Sequence, residues 1–226
     1  MKNGNMTPPA GLADPGSVCR CAEELRRVCR DAWRGGLLSG CNGNASLRLE
    51  SAAGAETDSL LCMTRTGAAK GRLTPADVCL LDARSGHCLA NGPASSEAAV
   101  HLALYASRPE CRAVLHTHPR HLLALSLAGR AQGTTEEFLL RMPLYEADAW
   151  RVRLAFAPAL PPGTRELADA VAAAAASLPP AAAGGAAGGA VWMERHGLCC
   201  FAPSLSLALT MSEELEHLAA IQLLAG

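Results

Sequence analysis

His116-Thr117-His118 places two imidazoles two residues apart, between the apolar run Ala113-Val114-Leu115 and a stop at Pro119. The run reads as a β-strand, in which side chains at i and i+2 point to the same face. Imidazoles with bases roughly 6–7 Å apart on one face can converge on a single ion through metal–nitrogen bonds of about 2.0–2.1 Å. Taken alone, the pair reads more simply as two surface or hydrogen-bonded histidines. A third histidine, His196 in Glu194-Arg195-His196-Gly197, shifts that balance. Three histidines with an open position form a catalytic rather than a structural zinc site. The glycine after His196 permits a tight backbone beside it. His87, His121 and His217 carry weaker signals. His101 lies one turn beyond Glu97 on the same predicted helix and reads as a packing residue, with a supporting place behind the site as the alternative.

Short polar turns accompany the histidines. Pro93-Ala94-Ser95-Ser96-Glu97 opens a predicted helix, with Ser95 or Ser96 as its cap and Glu97 in its first turn. Hydroxyls and free amides at a helix start suit a phosphate, because the N–H groups and the helix dipole both favour an anion. Plain capping explains the same residues, and alone it is the better explanation. Gly43-Asn44 and Thr66-Gly67 are turns carrying a small polar group, each a weak signal by itself.

The elements that must position these groups follow from periodicity. Residues 1–16, rich in Gly, Pro and Asn, read as a flexible lead-in. Ser17 caps a predicted amphipathic helix to about Trp33, with Val18, Cys21, Leu25 and Val28 on one face. Strands are predicted at 45–49, 59–64, 78–82 and 113–118, and from Val191 as far as His196-Gly197, resuming at 198–201, with a short helical turn at 74–77. Further helices are predicted up to Ser107, at 120–127, at 166–177 and at 205–224. Residues 134–156 show no clear period, and the Ala/Gly-rich 179–190 reads as a loose loop. Strands come in pairs as well as alternating with helices. The expected architecture is therefore one α/β domain over 17–226, with a mixed or antiparallel sheet covered by helices.

Composition limits the partners. The chain has 226 residues, 50% hydrophobic and 18% charged, with a formal net charge of −1. No basic field is available for nucleic acid or an anionic membrane. The N-terminus lacks an apolar signal core, and no run of about 18 apolar residues could span a bilayer. A cytoplasmic protein is expected, with its ten cysteines reduced. They form no Cys-x-x-Cys pair and read as buried structural thiols.

Six blocks in order resemble the class II aldolase/adducin family, specifically its L-fuculose-phosphate aldolase-like members. They are Gly43 to Arg48, Thr64 to Gly67 with Leu73 to Asp77, Pro93 to Glu97, Ala113 to Pro119, Gly163 to Leu167, and His196 to Leu198. Together they span roughly residues 18–225. The resemblance implies a three-layer α/β/α fold around a mainly antiparallel sheet, and a homotetramer with sites between subunits. It implies that His116, His118 and His196 bind Zn2+ or another divalent ion, and that Glu97 is the acid/base. It also implies that Asn44, Thr66, Gly67, Ser95 and Ser96 hold the phosphate of a small phosphorylated sugar.

The activity so implied is a metal-dependent aldolase, a lyase that cleaves a ketose phosphate through a metal-stabilised enediolate. Alternatives within the family are a methylthioribulose-phosphate type dehydratase, a decarboxylase and a 4-epimerase. Glu97 argues against the epimerase, which usually carries Asp there. The adducin branch lacks the metal histidines, which disfavours a non-enzymatic binding role. Some residues depart from the pattern. Arg130 to Ala157 does not align clearly, and its one tyrosine, Tyr145, cannot be assigned the role the family gives a tyrosine there. Ala159-Leu160-Pro161-Pro162 replaces more polar, aromatic residues, and Arg65 with Lys70 makes the phosphate loop basic.

Overall fold

A computed structural model of the chain describes residues 14–49, 60–131, 135–179 and 188–225. Eight strands form one sheet: β1 (Asn44–Arg48), β2 (Leu60–Thr64), β3 (Val78–Asp82), β4 (Cys88–Ala90), β5 (Ala113–Thr117), β6 (Leu154–Ala157), β7 (Gly189–Met193) and β8 (Gly197–Ala202). Their spatial order is β4-β3-β2-β1-β5-β8-β7-β6. Only the β6–β7 pair is parallel. The mainly antiparallel sheet expected from the sequence is therefore present.

Among the described residues, seven α-helices accompany it: α1 (Pro15–Arg34), α2 (Ala98–Ser107), α3 (Arg120–Ala131), α4 (Thr135–Phe138), α5 (Tyr145–Arg151), α6 (Arg165–Ser177) and α7 (Leu205–Ala225). Two hydrophobic clusters separate the layers. One joins α1, α3 and α7 to Ala45, Leu47, Leu115, Trp192 and Cys200. The other joins α2 and α6 to Leu61, Met63, Val114, Val191, Cys199 and Phe201. Alternate residues of one strand thus feed opposite cores, as the pleat requires. Both faces are covered, so the central strands are apolar on both sides.

Several boundaries differ from expectation. The first helix starts at Pro15, where the Asp14 carboxylate accepts from the amides of Gly16 and Ser17; Ser17 lies inside the first turn rather than capping it. The proposed flexible lead-in therefore includes two helical residues, and its positions 1–13 lie outside the described residues. β4 has no counterpart in the sequence prediction, being three half-buried residues at a sheet edge. The stretch without clear period resolves into α4, α5 and β6. β7 begins at Gly189, so the Ala/Gly segment ends in a strand; its residues 180–187 lie outside the described set.

Gly197 opens β8 beneath the histidines. A Cβ there would lie 2.5 Å from the Thr117 carbonyl oxygen and 3.0 Å from Cε1 of His116. The first contact is with backbone and cannot be relieved by a rotamer change. Gly197→Ala should cost about 1–3 kcal/mol, read as a lower urea midpoint with unchanged slope. An unchanged midpoint would show that β5 and β8 can separate freely here.

Candidate metal centre

The sheet register assembles the site. Asn44 of β1 pairs with His116 of β5, which pairs with Cys199 of β8. His118 follows β5 directly, and its amide donates to the Leu37 carbonyl at 2.8 Å. His196 sits in the turn between β7 and β8. Arg195 reverses the chain there with φ 63°, and the His196 amide donates to Met193 O at 3.0 Å. Ring centroids of the three histidines lie 4.7, 4.8 and 5.5 Å apart. One nitrogen from each can be chosen so that all three fall within 4.8 Å of one another.

The His116 tautomer follows from its partner. The Leu198 carbonyl can only accept, so Nδ1 carries the proton and donates at 3.1 Å. That leaves the Nε2 lone pair facing the cluster, with Nε2 of His118 2.9 Å away. That contact needs a proton, as a neutral Nε2–H tautomer of His118 would supply, or a cation between the two nitrogens. Burial disfavours a charged imidazolium here: it pushes the His116 pKa down to about 3, and lowers that of His118. Buried neutral imidazoles with converging lone pairs, one oriented by a backbone carbonyl, suit a divalent cation.

Glu97 is the residue that precedes α2 and is buried beside the histidines. Its Oε1 lies 3.1 Å from Nε2 of His196, and its Oε2 3.4 Å from Nε2 of His116. Oε2 also accepts from the Asn44 side-chain amide at 2.8 Å. Burial alone would raise the carboxyl pKa. The contact with His196, the interaction with His116 and the Asn44 amide outweigh burial and hold it well below the usual carboxylate range. Glu97 thus occupies the cap position itself, without a side-chain capping bond. The Ser95 hydroxyl accepts from the Glu97 amide at 3.3 Å rather than capping α2.

The residues expected to hold phosphate divide into two groups. Segments 64–67 and 93–96 are joined by an Arg65–Ala94 bridge and by the amide bonds Ser95 N to Thr64 O and Thr66 N to Pro93 O. Thr66, Gly67 and Ser96 are exposed there, and Ser95 is half-buried. Asn44 is different. Its amide nitrogen is engaged by Glu97 and its oxygen by His101, so its side chain faces inward.

Lys70 is buried too, at 1% exposure. Its ammonium donates to Cys41 O at 3.0 Å and Ala68 O at 2.7 Å. It ties the 65–68 loop to the turn before β1 instead of adding a surface charge. Burial lowers its pKa. Its seclusion had no sequence signal. Beside His196 a cavity of about 310 Å³ runs along Ala159-Leu160-Pro161-Pro162 and Glu194-Arg195. Tyr145 is 91% exposed at the start of α5, and Tyr105 is buried on α2.

The family model for the class II aldolase and adducin N-terminal domain matches residues 23–223. The chain belongs to the class II aldolase and adducin family, whose aldolases are metal-dependent. It is similar to L-fuculose phosphate aldolase of Escherichia coli K12, at 30% identity over 90% of this chain and 83% of that one. It is equally similar to 3-oxo-tetronate 4-phosphate decarboxylase of the same strain, at 30% identity over 90% and 86%. Among solved structures, a sugar-phosphate aldolase from Thermotoga maritima superposes with a TM-score of 0.71 at 26% identity, covering 90% of this chain and 94% of that one.

The buried histidines give the metal-free protein an acid-sensitive stability. His116 and His101 have folded pKa values near 3 and 4, below the ordinary 6.5. Between those limits the unfolded chain binds protons that the folded chain does not. Their contribution is intact above pH 6.5 and is lost as pH falls, at about 1.4 kcal/mol per pH unit for each histidine. Urea unfolding of chelator-treated protein from pH 7 to pH 5 should show this fall (about one to two pH units are covered). A flat profile would mean that the imidazoles charge freely in the fold.

Proposed function

We propose that the chain is a zinc-dependent lyase that cleaves a carbon–carbon bond in a small ketose phosphate by retro-aldol chemistry. The observation that carries this reading is the buried Glu97 carboxylate in contact with two of three converging histidines. His116, His118 and His196 would hold the ion. When bound, the ion would supply a Lewis acid for the negative charge that bond cleavage leaves beside a carbonyl.

The chain's own groups would do the rest. Glu97 holds or delivers a proton at Oε1, the carboxylate oxygen that Asn44 leaves free. Thr66, Gly67, Ser95 and Ser96 present hydroxyls and amides to the phosphate from the joined loops. Asn44 contributes from behind, through Glu97. The wall of Ala159 to Pro162 would receive the end of the substrate remote from the phosphate. A homotetramer is proposed with this reading, as the sequence resemblance implies. Leu127 on α3 and Val152 after α5 are large apolar side chains more than 60% exposed, which suits a contact between subunits.

Decarboxylation of an oxo-acid phosphate is the second reading, favoured by the equal likeness to the two Escherichia coli relatives. A panel of ketose phosphates and 3-oxo-acid phosphates, incubated with zinc-loaded protein and resolved by mass, separates the two. Products of cleavage are expected. Carbon dioxide from an oxo-acid phosphate would select the second reading, and an inert protein would overturn both. Glu97→Gln should keep its metal while proton exchange beside the carbonyl falls by about 100-fold or more. Exchange at the wild-type rate would remove Glu97 from the acid/base role.

A further inference from the structure

Behind Glu97 runs a line of buried side chains that this chemistry does not use. The Asn44 amide nitrogen reaches Glu97 Oε2 at 2.8 Å, and its oxygen meets Nε2 of His101. Nδ1 of His101 lies 2.7 Å from the Ser46 hydroxyl, which lies 2.8 Å from the Tyr105 hydroxyl. Tyr105 also lies 3.4 Å from the Arg112 carbonyl. Ser46 and His101 are fully buried, and Asn44 and Tyr105 are at most 3% exposed. Two strand residues at i and i+2 and two helix residues at i and i+4 thus interleave across the β1–α2 interface.

The hydrogens can be placed by elimination. A carboxylate only accepts, so the Asn44 nitrogen faces Glu97 and its oxygen faces His101. An amide oxygen only accepts, so His101 carries its proton on Nε2. Burial disfavours a second proton on the ring and pushes its pKa down to about 4. Nδ1 is therefore bare and takes the Ser46 hydroxyl proton. The Ser46 oxygen then accepts from Tyr105, the shorter of the two contacts open to the phenol. Every donor points towards Glu97.

We propose that His101 is a positioning residue: as a neutral Nε2–H imidazole it locks the Asn44 amide, so that a one-way chain of hydrogen bonds from Tyr105 ends on Oε2 of Glu97. This rests on the reading of Glu97 as the acid/base. The chain pins Oε2 and leaves Oε1 towards His196 as the working oxygen. It is not a path for protons. Passing one through Asn44 would convert its amide to an imidic acid, so the Glu97 proton exchanges on the metal side only. Without His101, the Asn44 amide can turn and present its oxygen to the carboxylate, which repels it.

Two measurements test the proposal. In histidine-labelled wild-type protein, long-range nitrogen–proton spectra should show His101 as the neutral Nε2–H tautomer, and Ser46→Ala should move its Nδ1 signal towards that of an unbonded nitrogen. A Nδ1–H tautomer, an imidazolium or an unmoved signal overturns the chain. In zinc-loaded enzyme, His101→Leu should lower kcat about tenfold or more with KM and metal content little changed. His101→Gln places an amide nitrogen where Nε2 stood and should recover most of that loss. Full activity in His101→Leu, or a folded, metallated His101→Gln as impaired as the leucine variant, overturns the positioning role. If wild-type enzyme acts on no phosphate in the panel, the lyase reading falls by itself, and the tautomer still decides the chain.

Discussion

A carboxylate taken out of water among imidazoles is the constraint on which this molecule's site depends. An ionised group loses much of its hydration on burial, and it stays ionised only if fixed dipoles and charges replace the lost water. Glu97 meets groups from three separate elements: Asn44 on β1, which donates to it, and His116 on β5 and His196 in the β7–β8 turn, which lie beside it. None of the three is a sequence neighbour of Glu97. The surroundings of the carboxylate therefore exist only in the assembled sheet.

That dependence turns strand register into a chemical requirement. Asn44, Ser46, Val114 and His116 share the sheet face beneath α2, while Ala45, Leu47 and Leu115 face the opposite core. A slip of one residue between β1 and β5 would send Asn44 into the α1–α7 layer and leave Glu97 without its amide partner. Close approach of the strand ends sets a further limit. Gly43 has φ +72°, and a Cβ there would stand 2.6 Å from the His116 carbonyl oxygen. Gly197 closes in from the other side of β5. Glycine is needed on both flanks because the histidine strand is gripped by backbone.

This arrangement explains which parts were legible in the sequence. The three histidines could be read from spacing and from the family blocks, and the structure brings them together. The central strands were legible as short apolar runs bounded by turns. β4 and β6 were not: β4 is three half-buried residues, and β6, though mostly buried, is only four residues, too short to establish a period. Roles set by tertiary partners were the least legible. Lys70 looked like a charge for phosphate, and only the fold shows its ammonium capping two loop carbonyls. His101 looked like packing, because nothing local to α2 announces Asn44 and Ser46 from β1.

The same division bears on the choice of reaction. Retro-aldol cleavage and decarboxylation both leave an electron pair beside a carbonyl, so both call for a cation site and a proton donor at that carbon. They part at the leaving group. An aldehyde departs only after a hydroxyl proton is taken, whereas carbon dioxide departs without one. Residues around the histidines would answer to the shared half of the chemistry, and relatives of either kind are 30% identical to this chain. On the proposed reading, the distinguishing half belongs to whatever meets the remote end of the substrate, and the cavity beside His196 is lined by Leu160, Pro161, Pro162, Glu194 and Arg195. Changes in that cleft, and not at the metal, are where the two activities would be exchanged.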